Sequence, residues 1–185
     1  MLNWRCVKAL QQRHYQGLPY AYPTESVFGI GCDPFNADAV DRVFALKARP
    51  RHKGMIICAA SIHQLTPFLS EITATERQTL QQLWPGPHTV VVPQSVSFAW
   101  PWLIAEGQNT LALRVSAHPT VQAICRVLGP IVSTSANRSG RPPCRHSWQV
   151  RRVFPELNCL VTGAVGDLCR PTRIVDLRTG QVLRS

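Results

Sequence analysis

The sequence predicts an α/β fold, and three observations carry that prediction. Short apolar runs bounded by glycine or proline, such as Gly54-Met-Ile-Ile-Cys-Ala-Ala60 and His88-Thr-Val-Val-Val-Pro93, have the length and composition of strands. Between them lie stretches with apolar residues at helical spacing, opened by capping residues and closed by breakers. The chain has 185 residues, 45% of them hydrophobic, which suits a single domain over residues 1–185 with one buried core.

Taken in order, Asn3 is the expected N-cap of a first helix over residues 4–16, with Trp4, Val7 and Leu10 as its apolar spacing and Gly17 as its stop. Leu18 to Tyr22 reads as a short strand that Pro23 breaks. The following residues to Cys32 read as a loop, in which Gly29 and Gly31 let the backbone approach something closely. Thr24, Glu25 and Ser26 place a hydroxyl, a carboxylate and a second hydroxyl where that strand gives out, the usual ligand position of open α/β sheets. Asn36 caps a second helix with Val40, Val43, Phe44 and Leu46 as its stripe, ending near Lys47 and Arg49 before Pro50. Cations there can simply neutralise the last carbonyls of the helix, which accounts for Lys47 but not for a basic run continuing through Arg51 and Lys53.

The apolar run 54–60 is a buried strand, two short helices begin near Ser61 and Thr75, and Trp84-Pro-Gly-Pro87 forces a turn into the strand 88–93. Residues 94–109 carry the weakest signal. Trp100-Pro-Trp102 there either packs over a site or plugs the edge of the core, and packing over a site is the expectation. Thr110 to Val115 alternates, so Thr110, Ala112 and Arg114 share one face. An arginine so placed needs an anionic partner, either a structural carboxylate or a ligand. Pro119 to Leu128 is a helix stopped by Gly129, and Pro130 to Thr134 enters a strand. Its end carries Ser135-Ala-Asn137 and a Ser139-Gly140 turn, groups that suit phosphate or ribose oxygens or that simply organise the loop. A basic helix (Ser147 to Phe154), a short strand around Cys159 to Val161, a loop at 162–166 and a hairpin of 172–178 with 181–184 complete the chain.

Twenty Lys and Arg against ten Asp and Glu give a net charge of +10, which calls for solvation or for an anionic partner such as polyphosphate or RNA. Seven cysteines without a C-x-x-C pair are expected as reduced thiols, and neither they nor the six histidines have metal-ligand spacing, so no resident metal is expected. No apolar run reaches 18 residues and the N-terminus lacks a signal-peptide layout, so the expectation is a soluble cytoplasmic protein away from membranes. Neither a Walker A loop nor a G-x-G-x-x-G fingerprint occurs.

Three clusters follow one another: Pro23-Thr-Glu-Ser-Val-Phe-Gly-Ile-Gly31, Lys47-Ala-Arg49-Pro50 and Ser135-Ala-Asn137 through Ser139-Gly140. On these, the chain from about residue 5 to Arg184 resembles the YrdC/TsaC family of L-threonylcarbamoyl-AMP synthases, whose motifs are P-T-E-[ST]-x-[FY]-G-[LIV]-G, K-x-R-P and S-x-N ending in S-G. The resemblance implies a YrdC-like twisted open mixed sheet flanked by helices around a basic concave cavity. It implies a nucleotidyltransferase that converts L-threonine, bicarbonate and ATP, with Mg2+ carried on the ATP, to threonylcarbamoyl-adenylate and pyrophosphate. The product serves the modification of tRNA next to the anticodon, through further tRNA-modification proteins and with tRNA or other structured RNA as a possible direct partner. By motif match, Lys47, Arg49 and Arg51 are implied as triphosphate contacts, the first two as catalytic residues. Ser135 and Asn137 are implied to hold the nucleotide, with Thr110 and Arg184 as ATP neighbours, and Thr24, Arg114 and Thr172 the threonine. The chain departs from the pattern at Lys53-Gly-Met55, Pro143 and Thr172-Arg173, and the expectation is a chain that ends with the catalytic domain, without the additional C-terminal domain of longer relatives. A non-catalytic RNA-binding or ribosome-maturation factor of the same fold is the alternative. A carbamoyl-adenylate step in metallocentre maturation belongs to much longer multidomain chains.

Overall fold

The computed structural model describes residues 2–95, 97–169 and 172–184. Helix α1 (Trp4–Tyr15) begins as expected, with the Asn3 side chain accepting from the Cys6 amide at 2.9 Å. Its buried face is narrower than the apolar spacing implies: only Leu10 and His14 are buried, and Trp4 is 69% exposed.

Strands β1 (Tyr20–Pro23) and β2 (Phe28–Cys32) form an antiparallel hairpin, so residues 28–32, read as loop from their glycines, are a buried strand. Pro23 ends β1 without leaving the ladder. It sits opposite Phe28 on an edge strand, where a missing N–H donor is tolerated. What approaches the glycines is the protein itself. A Cβ on Gly31 would lie 2.7 Å from the Val132 carbonyl oxygen and 2.9 Å from the Tyr22 ring. Gly31→Ala is therefore expected to lower stability by about 1–3 kcal/mol, read as a shift in the denaturant midpoint at unchanged m-value.

Helix α2 (Ala37–Lys47) is capped by Asn36 and closed by Ala48 in a left-handed conformation (φ 49°). A 3-10 turn (Arg51–Lys53), β3 (Ile56–Ala59), a 3-10 segment (Ile62–Phe68) and α3 (Ala74–Leu83) follow. Thr73 and Glu76 exchange bonds as a capping box at the start of α3. After β4 (His88–Pro93) and a 3-10 turn (Pro101–Leu103) come β5 (Thr110–Val115), α4 (Pro119–Leu128) and β6 (Ile131–Ser135). Then α5 (Ser147–Val153), β7 (Arg173–Asp176) and β8 (Val182–Arg184) complete the elements.

All eight strands join one open mixed sheet in the order β1-β2-β6-β3-β5-β4-β7-β8, parallel only at β3/β5 and β4/β7. The strand expected around Cys159 to Val161 is reduced to a single bridge from Leu160 to Ala21, because the chain makes two backbone bonds there and then departs.

Along β3 the side chains alternate between two cores: Ile57 and Ala59 join the larger one, Cys58 and partly buried Ile56 the smaller one under α1 and α4. Trp100 joins Phe35, Phe68 and Phe98 at the edge of the larger core, and the Trp102 indole donates to the Pro34 carbonyl at 3.0 Å. The expectation that these tryptophans cover a site is thus corrected. They plug the core edge, where a large ring with one polar atom is satisfied by a single carbonyl.

Candidate active site

On the sheet face that carries α4, a cavity of about 250 Å³ opens between the β1–β2 loop, the ends of β3, β5 and β6, and the β7–β8 hairpin. Residues from near both edges of the sheet line it, Thr24 and Gly29 from one side and Thr172 and Arg184 from the other. The strands must curl round the hollow for that to happen.

Of the ten residues implied as site residues by motif match, seven line this one cavity: Thr24, Arg49, Arg114, Ser135, Asn137, Thr172 and Arg184. Thr24 is held in its loop by its own hydroxyl, which donates to the Val27 carbonyl at 2.7 Å. Residues 166–168 strap that loop from outside, with the Gly166 amide on the Thr24 carbonyl and the Leu168 amide on the Glu25 carbonyl. A Cβ on Gly166 would lie 2.8 Å from the Glu25 carbonyl oxygen, so the strap needs a glycine to come this close. Arg49 is steadied by the Gly54 and Lys53 carbonyls at 2.9 and 3.0 Å. Thr172 faces Thr89, hydroxyl to hydroxyl at 3.3 Å, and Arg184 donates to the Thr172 carbonyl at 2.9 Å.

Arg114 has the anionic partner its position demanded, and it is Glu25. The buried guanidinium pairs with Glu25 Oε1, and its Nε donates to the Gly86 carbonyl at 3.2 Å. The same Oε1 accepts from the Ser116 hydroxyl at 2.6 Å and from the Ala117 and His118 amides at 3.2 and 3.3 Å, just ahead of α4. A carboxylate at a helix N-terminus, shared by a hydroxyl, two amides and an arginine, is a rigid anchor. Glu25 was visible in the sequence as a carboxylate beside Thr24. Nothing in the local pattern pointed to its partners.

Lys47, Arg51 and Thr110 are not among the lining residues. Lys47 is 1% exposed and lies behind the wall: its ammonium donates to the Ser135 carbonyl, to the Asn137 carbonyl at 2.8 Å and to Asn137 Oδ1 at 3.4 Å. It therefore serves carbonyls of the loop after β6 rather than those of its own helix, which Ala48 and Arg49 close by their backbone amides. Arg51 pairs with Asp41 at 2.6 Å and lies over the Phe44 ring. Thr110 opens β5 opposite Pro93 in β4.

The cations depress one another. Burial, and next the charge of Arg49, bring the Lys47 ammonium down to about 7 from its ordinary value. Burial followed by Arg184 lowers Arg49, and burial followed by Arg114 lowers Arg184. Positive groups gathered in this way hold a site where an anion relieves repulsion. Among the described residues, the lining carries three arginines and one carboxylate, Glu25, already committed to Arg114. Ser135 and Asn137 add hydroxyl and amide groups held in register: the Ser135 hydroxyl donates to Asn137 Oδ1 at 2.6 Å and Asn137 Nδ2 donates to the Arg141 carbonyl at 2.7 Å.

Fold and site together define an α/β protein whose curled mixed sheet gathers arginines, hydroxyls and an amide around one hollow, an arrangement suited to a small anionic ligand. The chain belongs to the Sua5/YciO/YrdC family, whose model, described as "Telomere recombination", matches residues 14–185. It is 48% identical over 171 residues to the threonylcarbamoyl-AMP synthase of Halorhodospira halophila, covering 91% of this chain and 88% of that one. To the threonylcarbamoyl-AMP synthase of Nitrosococcus oceani it is 45% identical over 184 residues, with 98% of both chains covered. Among solved structures, P. abyssi Sua5 complexed with L-threonine superposes with a TM-score of 0.87 at 29% identity, over 98% of this chain and 54% of that one. The chain thus spans about half the length of that structural relative. E. coli YciO shares the fold, with a TM-score of 0.82 at 22% identity. No helix among the described residues is long and apolar enough to cross a membrane.

Proposed function

We propose that this chain is a threonylcarbamoyl-AMP synthase, acting on L-threonine, bicarbonate and ATP. The observation that carries the reading is the convergence of Thr24, Arg49, Arg114, Ser135, Asn137, Thr172 and Arg184 on one cavity. The names of the relatives support it, as does threonine in the Sua5 complex.

In this reading the neutral threonine amine adds to carbon dioxide with loss of a proton to solvent, or to bicarbonate with loss of water, and the resulting carbamate oxygen attacks the α-phosphate of ATP. Pyrophosphate leaves with the P–O bonding electrons. No side chain has to act as a nucleophile; the protein aligns three reactants and offsets negative charge at the reacting phosphorus. Arg114 takes the threonine carboxylate, held ready by Glu25 and Gly86, with Thr24 and Thr172 beside it. Arg49 and Arg184 meet the phosphates, and Ser135 and Asn137 hold the nucleotide. Lys47 acts from behind the wall, by fixing the Ser135–Asn137 loop and adding positive potential. Magnesium enters as part of the Mg-ATP substrate and is held by its phosphates, since among the described residues the one lining carboxylate is taken by Arg114, Ser116 and two amides. The product passes to proteins that modify tRNA next to the anticodon. The cytoplasm is the proposed compartment, in keeping with seven unpaired cysteines.

The test is direct. Purified protein given threonine, bicarbonate and Mg-ATP is expected to release pyrophosphate and form the carbamoyl-adenylate, each only when all three substrates are present. Pyrophosphate release that ignores threonine, or none at all, would overturn the reading.

A further inference from the structure

Helix α2 ends on two carbonyls that the helix itself does not satisfy. The Ala48 and Arg49 amides return to Ala45 and Phe44 at 3.0 Å each, which leaves the carbonyls of Leu46 and Lys47. Continuing the helix could not serve Leu46, because the residue four places on is Pro50, which has no N–H to give. The loop after β6 takes both. Arg138 donates through Nη1 to the Leu46 carbonyl, and the Ser139 amide donates to the Lys47 carbonyl at 2.8 Å.

The same guanidinium reaches a third element. Its Nη2 donates to Glu156 Oε1 at 2.9 Å, just past α5, and it lies over the Phe154 ring, 5.1 Å from the centroid. With the two side chains 43% and 45% exposed, that ion pair contributes little by itself. The bond to the helix end matters more, since a cation there also meets the negative end of the α2 dipole.

Arg138 does not line the cavity, yet both things it joins do. Its own carbonyl accepts from Asn137 Nδ2 and from the Arg141 amide, each at 3.0 Å, so the Arg138 peptide orients the Asn137 side chain. On the other side, Ala48 stands in the left-handed region (φ 49°) between the gripped carbonyls and Arg49. An alanine holds that conformation where its neighbours fix it. A shift in the last turn of α2 would move Arg49, and a shift in the loop would move Asn137. Lys47 and the Ser139 amide tie the same two segments. Of these ties, Arg138 alone also reaches the Phe154–Glu156 turn, which stops the loop from pivoting about the other two.

We propose that Arg138 is a positioning residue for ATP: it locks the loop that holds the nucleotide to the helix end that presents Arg49 to the phosphates. The proposal rests on the reading of the cavity given above. Thr24, Arg114 and Thr172 belong to other segments, so threonine binding does not depend on this lock.

Calorimetric titration with Mg-ATP and with threonine separately, followed by pyrophosphate kinetics, tests it. Arg138→Ala is expected to weaken ATP binding about ten-fold, as for a loop in place about a tenth of the time. Its kcat at saturating ATP and its KM for threonine should stay within about two-fold of the wild type. Arg138→Lys, which keeps a charged donor for the Leu46 carbonyl, should return ATP affinity to within about three-fold. Glu156→Gln, which leaves the helix bond in place, should change it less than about two-fold. If Arg138→Ala does not fold, Arg138→Gln carries the same test, with ATP weakened at least about three-fold. Three results would overturn the proposal: unchanged ATP affinity in a folded Arg138 variant, equal weakening of ATP and threonine, or a fall in kcat with both KM values unchanged, as loss of folded protein gives. Failure of the enzyme reading looks different. The wild type would then bind Mg-ATP and form no pyrophosphate, and the comparison of ATP affinities would still decide the role of Arg138.

Discussion

Arg114→Ala is expected to lower kcat/KM for threonine at least about 100-fold while ATP binding stays near the wild-type value. Each tenfold corresponds to about 1.4 kcal/mol of transition-state binding, and loss of a guanidinium from a carboxylate is worth at least two such steps. The guanidinium is also part of the fold. Its side chain is 7% exposed and that of Glu25 12%, so removing one partner leaves a nearly buried charge behind. A cost of about 3–5 kcal/mol is usual for such a change. Here the lower end is expected, because the Ser116 hydroxyl and the Ala117 and His118 amides still serve Glu25. Combining Arg114→Ala with Glu25→Gln should recover much of the stability without restoring threonine use. Chemical denaturation and threonine kinetics on the single and double variants separate the two effects. Equal loss of ATP and threonine affinities in a stably folded Arg114 variant would contradict separate subsites.

Lys47→Met should act on the other substrate, with kcat/KM for ATP falling about 100-fold or more and the threonine KM changing little. The ammonium ties the end of α2 to the loop carrying Ser135 and Asn137. Methionine keeps the length of the stem and loses the donor. The Asn137 carbonyl then loses its donor while the Ser135 carbonyl keeps the Asn137 amide at 3.0 Å, and stability should drop by about 1–3 kcal/mol.

The proton of Lys47 offers a finer measurement. Its value in the folded protein is about 7, against the ordinary 10.5, so the unfolded chain binds more protons over that window. The charged form is therefore a burden on folding below about pH 7, and that burden lifts as pH rises from about 7 to 10.5. A triphosphate arriving on the far side of the wall favours the charged form again. At pH 8, calorimetry in buffers of different ionisation enthalpy should show proton uptake on ATP binding, approaching one proton. In Lys47→Met that uptake should vanish. Equal uptake in both proteins would place the proton elsewhere.

Much of the local structure could be read along the chain because it depends on short-range physics. Asn3 and Asn36 cap the helices that their side chains announced. Gly129 ends α4, and the β-branched run 88–93 is β4. Where local rules failed, a tertiary neighbour had outweighed them. Gly29 and Gly31 suggested a loop, yet both sit in a strand because the Tyr22 ring takes the space their side chains would fill. The spacing of Trp4 suggested a buried helix face, but Trp4 is 69% exposed and the burial of α1 is confined to Leu10 and His14.

The sequence by itself determined the caps, the strand lengths, the excess of positive charge and the three polar clusters that carry the family resemblance, since all of these are properties of neighbouring residues. Only the tertiary structure decided which clusters meet. It set Glu25 against Arg114, put Lys47 behind the wall on the carbonyl of a residue 88 positions away, and drew Arg51 off to Asp41. The physical reason is that such contacts depend on strand order, on curl that brings residues from near both sheet edges together, and on competition among distant partners for each charge. None of these leaves a period in the chain.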